Sequence, residues 1–349
     1  MGNSHADLNP APLPEEIYLA LKGKSYEKKN INYGENFKII KEKKKSTLFA
    51  IKIDDFFLEE EFYEYLYNLK LRKSSNIQLK NFVSVEGIFV KDKNLFCSQK
   101  FLVYSKFQYF SESLSSIIKR IQNGQCKMFS SNQILSMIFT ISETLMKLEN
   151  FNIFHGNIRP ETILFDEFGE IKLTDSCFML KENSYHNYLF GKYEKIYVCP
   201  SVLKQLKLLN IKPKINYEKS NVFSLGLTVL EALTFCDINH IYDFTNHEII
   251  PYKLEQFIKK ATAKYDEQIG LLLKGMLEMK KSGRYGYKEI MEYSEKIGFD
   301  NTIQYSFRFR DEKMVKSRVH TTELEKSKIS MAETGYDSKN LIMSRDTNY

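Results

Sequence analysis

Apolar positions in the first third of the chain recur mostly with the short period of strands. From Phe37 to Ile53 the pattern predicts two strands joined by the basic stretch Lys41–Lys45. The second, Leu48-Phe49-Ala50-Ile51-Lys52-Ile53, is short and rich in apolar residues, as a strand should be. Glu59 to Lys70 switches to helical spacing, with Phe62, Tyr65, Leu66 and Leu69 at i, i+3, i+4 and i+7 on one stripe. Strand-like runs return near Val83–Val90 and Leu95–Val103. This part therefore predicts a small strand-rich lobe with one helix.

Beyond about residue 110 the spacing becomes helical. Gln133 to Leu148 carries one stripe through Ile134, Met137, Ile138, Ile141, Leu145 and Leu148. Ser220 to Phe235 is apolar almost all round, the pattern of a helix buried on every side. Further helices are predicted at Leu254–Tyr265, Gln268–Met279 and Tyr287–Ile297, giving a larger helical lobe and an α+β chain. The flanks differ. Residues 1–29 are polar, with Pro10, Pro12 and Pro14, and read as an extended arm with a short helix at Glu15–Leu21. Residues 299–349 are rich in Ser, Thr, Lys and Glu and read as a polar tail. A domain over 30–298 remains, dividing near residues 103 and 104 into an N-lobe and a C-lobe.

Composition refines this picture in a few places. Hydrophobic residues are 43% and charged residues 27% of 349, enough for a sizeable core and against wholesale disorder. There is no Trp, and 26 Phe with 22 Tyr supply the aromatic packing. The net charge of +7 is modest and diffuse. It is compatible with a phosphate ligand, an anionic membrane or an acidic partner. With no zinc-finger or basic-region signature, it does not argue for nucleic acid. Cys97, Cys126, Cys177, Cys199 and Cys236 are odd in number and widely spaced, without C-x-x-C. A disulfide framework or zinc site is not expected, and a reducing cytoplasmic compartment fits best. No apolar run is long enough to span a bilayer.

The candidate chemistry lies in FNIFHGNIRPETILFDEFGEIKLTDSCF, residues Phe151 to Phe178. His155, Pro160 and Glu161, the apolar pair Ile163-Leu164, a hairpin turning at Gly169, and Asp175 follow one another at fixed spacing. This run resembles the HRDLKPEN catalytic loop, hairpin and DFG motif of eukaryotic protein kinases. Other landmarks follow in order: Phe49-Ala50-Ile51-Lys52 is similar to the VAIK strand, Cys199-Pro200-Ser201 to APE, and Asn221-Val222-Phe223-Ser224-Leu225-Gly226 to DVWSLG. The resemblance covers about residues 30 to 298 and implies a two-lobed fold with a small antiparallel sheet and a helical C-lobe. It also implies a nucleotide site. Lys52 would meet the α and β phosphates, with Glu64, or else Glu61, as its partner. Ala50 and Leu164 would contribute to that site, Asp175 would hold magnesium, and Asn157, Arg159 and Thr162 would occupy the catalytic loop.

The departures from the family's pattern matter as much. Asn157 stands where the family has its catalytic aspartate, and an amide cannot act as a base near neutral pH. Thr162 replaces the asparagine that ligates a second magnesium, a weaker ligand. The glycine-rich loop region, Asn30 to Phe37, keeps only Gly34, so backbone N–H groups cannot close on phosphates as glycine loops do. Gly156 replaces the HRD arginine, Ser176 the DFG phenylalanine, and Ser201 the APE glutamate that would pair with Arg284. Asn221 replaces the helix-head aspartate, though its amide oxygen can still accept a backbone hydrogen bond. Together these changes identify the chain as a degenerate, pseudokinase-like member, with weak binding of ATP and one magnesium as the expected residue of the nucleotide site. The competing expectations are a divergent active Ser/Thr-type kinase and a membrane-anchored adaptor that binds no nucleotide.

The first residues, Met1-Gly2-Asn3-Ser4-His5-Ala6, partly resemble an N-myristoylation site, with Gly2 present and Ala6 in place of the preferred Ser or Thr. One acyl chain binds membranes only marginally. Lys22, Lys24, Lys28 and Lys29, or Lys41 and Lys43–Lys45, would supply the second signal, placing the protein peripherally at a membrane. The partner in either case is expected to be another protein.

Overall fold

The structure is a computed structural model. It describes residues 11–12, 26–29, 37–42, 48–56, 59, 62, 63, 66, 79–83, 85–95, 98–108, 110–166, 168–174, 196–208, 216–300, 305 and 307. Contacts divide the chain into one unit of Met1–Lys119 with Phe129–Arg308, and another of Arg120–Met128 with Phe309–Tyr349. In the second unit the described residues close a turn at Gly124, where Gln125 N–H donates to Arg120 O at 2.8 Å.

The strands of the first unit are β1 (Ala11–Pro12), β2 (Tyr26–Lys29), β3 (Phe37–Glu42), β4 (Leu48–Phe56), β5 (Phe82–Val83), β6 (Val85–Leu95) and β7 (Ser98–Gln108). Six of them form a sheet in the order β1-β6-β7-β4-β3-β2. Every pair is antiparallel except β1 with β6. Two of its strands come from the stretch that reads as an arm: β2 pairs Tyr26 with Glu42 and Lys29 with Ile39. Helical backbone occurs at Glu59, Phe62, Tyr63 and Leu66. Phe62 and Leu66 are buried while Tyr63 is exposed, as the stripe predicts, and Phe62 stacks on Phe101 of β7 at 4.2 Å.

Later in the chain come β8 (Glu112–Ser113), α1 (Leu114–Gln122), α2 (Ser131–Asn150), β9 (Ile163–Phe165), β10 (Ile171–Thr174), α3 (Pro200–Lys207) and α4 (Tyr217–Thr234). They are followed by β11 (Tyr242–Asp243), β12 (Glu248–Ile249), α5 (Pro251–Thr262), α6 (Glu267–Met276) and α7 (Tyr287–Lys296). Helix α2 starts at a capping box: Ser130 Oγ accepts from Gln133 N–H, and Gln133 Oε1 accepts from Ser130 N–H at 2.9 Å. Every residue of α4 from Ser220 to Thr234 is buried, and the helix packs against α2, α5 and α6. A second sheet, β5-β10-β9-β8, sets the site. In it β9 and β10 form the hairpin expected around Gly169, whose φ of 77° suits a residue without a Cβ. Asp166 Oδ1 accepts from Phe168 and Glu170 N–H, both at 2.9 Å, and closes the turn.

The result is an α+β fold with a small antiparallel-sheet region and a larger helical one. Residues after Ile297 begin by docking: Phe299 packs on Phe139 and Tyr305, and Phe307 packs on Phe165 and Phe129. Among the described residues no helix is long and apolar enough to cross a membrane. Gly2, Glu15–Leu21, Asn30–Asn36, Lys43–Lys45, Glu64, Glu61, Asp175 and Ser176 lie outside the described residues, as do Lys22 and Lys24.

Candidate functional site

Helix α2 stops at Asn150, and Asn152 takes the left-handed conformation (φ 57°) that turns the chain into the loop of 153–162. The loop is held by three anchors. The first is His155, whose Nδ1 accepts from Asn157 N–H at 3.2 Å. Its proton therefore sits on Nε2, which donates to Thr174 O at 2.7 Å. That one ring ties the loop to the residue immediately before Asp175. The second anchor is Asn221 at the head of α4. Its Oδ1 accepts from Gly156 N–H at 3.0 Å, and its Nδ2 donates to Tyr287 Oη at 3.1 Å. Tyr287 Oη in turn donates to Glu149 Oε1 at 3.0 Å, so loop, α2, α4 and α7 share one buried network. Burial first, and then the Glu149 charge, push the Tyr287 hydroxyl far above its ordinary pKa. Gly156 has φ 70°, and a Cβ there would lie 3.2 Å from the Tyr217 ring.

The third anchor is Thr162. Its hydroxyl accepts from Arg159 N–H at 3.1 Å and donates to Arg159 O at 2.9 Å, with Asn157 O at 3.1 Å. Thr162 is fully buried, and its carbonyl receives both the N–H and the hydroxyl of Thr174, at 2.9 and 3.2 Å. The one candidate second-metal position thus spends its hydroxyl on bracing the loop.

Asn157 is treated differently by its surroundings. It is 4% exposed, yet neither Oδ1 nor Nδ2 has a hydrogen-bond partner among the described residues. A buried amide left so is unfavourable by about 1–3 kcal/mol per group. The loop frame uses the backbone of Asn157 and, among the described residues, leaves its side chain as a free donor and acceptor.

Arg159 is 7% exposed and pairs through Nε with Glu161 Oε2 at 2.7 Å. Burial pushes the Glu161 carboxyl up, but the Arg159 charge and hydrogen bond, with help from Ser115, outweigh it and hold the pKa below the ordinary range. Beside this pair, Tyr197 donates to Glu231, which is buried in α4. Burial and then the Glu231 charge raise the Tyr197 pKa well above its usual value. The Tyr197–Glu231 pair was not read from the sequence; the available signal was a lone acid inside the otherwise apolar run of α4.

Ala50 and Lys52 lie on β4, opposite Phe107 and Ser105 of β7. Leu164 lies on β9 and is fully enclosed. Lys52's side chain, Glu64 and Asp175 fall outside what is described; among the described residues hydrogen bonds join Asn157, Arg159 and Thr162, and Leu164 follows two residues on, in β9. Arg284, without the APE glutamate, is nonetheless 2% exposed. Its guanidinium donates to three carbonyls, Glu278 O at 2.8 Å, Lys219 O at 3.0 Å and Met279 O at 3.2 Å, and lies 4.6 Å from the Phe223 ring centroid. Burial lowers its pKa, and the neighbouring Cys199 and Glu278 oppose that shift.

A loop braced between a helix head and a two-stranded hairpin, ahead of an aspartate, is the arrangement of a protein kinase C-lobe. The chain belongs to that family: the profile described as protein kinase domain matches residues 32–294. Among curated proteins it is similar to the dual specificity protein kinase zak2 of Dictyostelium discoideum, 26% identical over 188 residues, covering 47% of this chain and 28% of that protein. It is similar to human MAP kinase-activated protein kinase 2, 24% identical over 190 residues, covering 51% of this chain and 44% of that one. With the serine/threonine-protein kinase CLA4 of Candida albicans it shares 29% identity over 119 residues, 34% of this chain and 11% of that protein. The matched segment thus spans well under two thirds of each of these relatives.

Proposed function

We propose that this protein is a pseudokinase, a kinase fold used for binding, as a scaffold or regulator, with weak affinity for ATP. The observation that carries the reading is the state of the loop. Its frame is complete, while the side chain in the base position is an amide and the hydroxyl in the second-metal position is consumed internally. Asn157 can orient a hydroxyl or a phosphate oxygen by hydrogen bonding, but its amide takes no proton near neutral pH.

Kinase domains generally bind ATP with magnesium, and the residues here fit that group in part. The unpartnered amide of Asn157 fits a polar ligand at the loop. Thr162, its hydroxyl spent on Arg159 and Asn157, does not fit a second magnesium. When bound, ATP would be held by Lys52 and by one magnesium on Asp175, and would supply a phosphoryl group and a reason for the lobes to close. What this chain's residues do is bind and orient, with the bound nucleotide stabilising one conformation that a protein partner reads.

Purified protein titrated with ATP, with and without magnesium, and followed by thermal unfolding tests the nucleotide part. The expected result is a rise in Tm at millimolar ATP that Lys52→Ala and Asp175→Ala abolish. Incubation with ATP, magnesium and generic protein substrates tests the rest. Phosphate transfer by the wild type that either substitution abolishes would refute the pseudokinase reading, and no thermal shift at all would leave an adaptor that binds no nucleotide.

A further inference from the structure

Helix α3, the β11–β12 hairpin and the start of α5 enclose a surface cavity of about 540 Å³ remote in sequence from the loop of 153–162. Its floor is apolar: Leu203 and Ile249 are buried beneath it, with Pro200 and Pro251 at its sides. Leu208, 75% exposed, stands at its lip. The rim is cationic. Lys204 and Lys207 are both exposed and make no ion pair among the described residues, and Lys207 donates to Asn246 O at 3.0 Å. His247 and Glu248 complete this side of the lining, Glu248 being its one carboxylate.

Two features decide what such a site takes. A small polar ligand is oriented by a few inward-aimed polar groups. None of the buried polar atoms left without a partner in the described residues lines this cavity. A concave apolar floor beneath exposed cations at the edge instead suits a peptide that buries one or two large side chains and keeps carboxylates at the rim. We infer that the groove between α3, β12 and α5 docks a segment of a partner protein that presents Leu, Ile or Phe flanked by Asp and Glu. The site is independent of the nucleotide and of Asn157.

Selection of peptides from a random phage-displayed library on the whole chain tests this. The expected winners combine a large apolar residue with neighbouring acids. Resynthesised with a fluorophore, they should lose about tenfold or more in affinity for Lys204→Glu/Lys207→Glu and for Leu208→Asp. Their binding should weaken with salt and be unchanged in Lys52→Ala, which separates this site from the nucleotide reading. All three altered positions are exposed, and unchanged circular dichroism verifies that the variants fold. No enriched peptide, winners without the acidic-apolar pattern, or equal binding to the variants would each overturn the inference. So would binding to phosphatidylserine vesicles lost in the same variants with no peptide selected, which would make the groove a membrane face.

Discussion

Thr162→Val removes one oxygen and nearly preserves shape, so it isolates what the hydroxyl does. In the wild type that hydroxyl serves Arg159 N–H, Arg159 O and Asn157 O in a site with no solvent exposure. Arg159 O keeps a second donor, Thr162 N–H at 3.0 Å. Two groups, Arg159 N–H and Asn157 O, lose the hydroxyl, and a buried group left unsatisfied costs about 1–3 kcal/mol. The expected destabilisation is therefore about 2–6 kcal/mol, and a fall in Tm of at least several degrees in a domain of this size. Urea unfolding followed by circular dichroism measures it, since the chain has no Trp to report by fluorescence. Thr162→Ser, which keeps the hydroxyl and loses a methyl, should cost only about 1 kcal/mol. If valine proves as stable as serine or the wild type, the bracing role is wrong. A loss of magnesium-dependent ATP stabilisation in Thr162→Val greater than in Thr162→Ser would likewise contradict it, by returning the hydroxyl to a metal.

Three further outcomes are expected. Glu161 has a native pKa below its unfolded one, so its pairing with Arg159 contributes stability above the unfolded carboxylate pKa that is lost as pH falls through the lowered native value. Glu161→Gln should remove that acid-limb dependence in unfolding measured across pH 3 to 7, values bracketing the ordinary range of about 4.3. Arg284→Met strips three carbonyls of their donor in a buried site and should destabilise by about 3–5 kcal/mol in chemical denaturation. Phe307→Ala, which empties the contact with Phe165 and Phe129, should cost about 3 kcal/mol and raise protease sensitivity after residue 300.

The helices were legible wherever an apolar pattern filled whole turns. The all-round pattern of Ser220–Phe235 announced α4, and the stripe from Ile134 to Leu148 announced α2, each within three residues at both ends. Strand ends were less legible. The arms of β6 and β7 continue through Lys91-Asp92-Lys93-Asn94 and Ser98-Gln99-Lys100, where backbone pairing persists after the apolar alternation stops. For the same reason Tyr26-Glu27-Lys28-Lys29 read as arm: β2 joins its sheet through N–H and C=O groups that every residue has. At the site, residue types located the loop, but not the direction of their hydrogen bonds. Asn221 accepting from the Gly156 backbone could be anticipated from an amide at that place. The turning inward of the Thr162 hydroxyl, and the cage of carbonyls around Arg284, could not, because their partners are main-chain atoms without a sequence signature.

The bonds that hold the loop come from His155, Asn221 and Thr162, and from Asn157 only its main chain takes part. Position 157 is accordingly a socket in a frame that other residues maintain. Exchanging its side chain for another of like size leaves the scaffolding bonds in place, so chemistry at that point can be gained or lost independently of architecture. An amide and a carboxylate differ there by one nitrogen for one oxygen, and either leaves the bonds from His155, Asn221 and Thr162 in place.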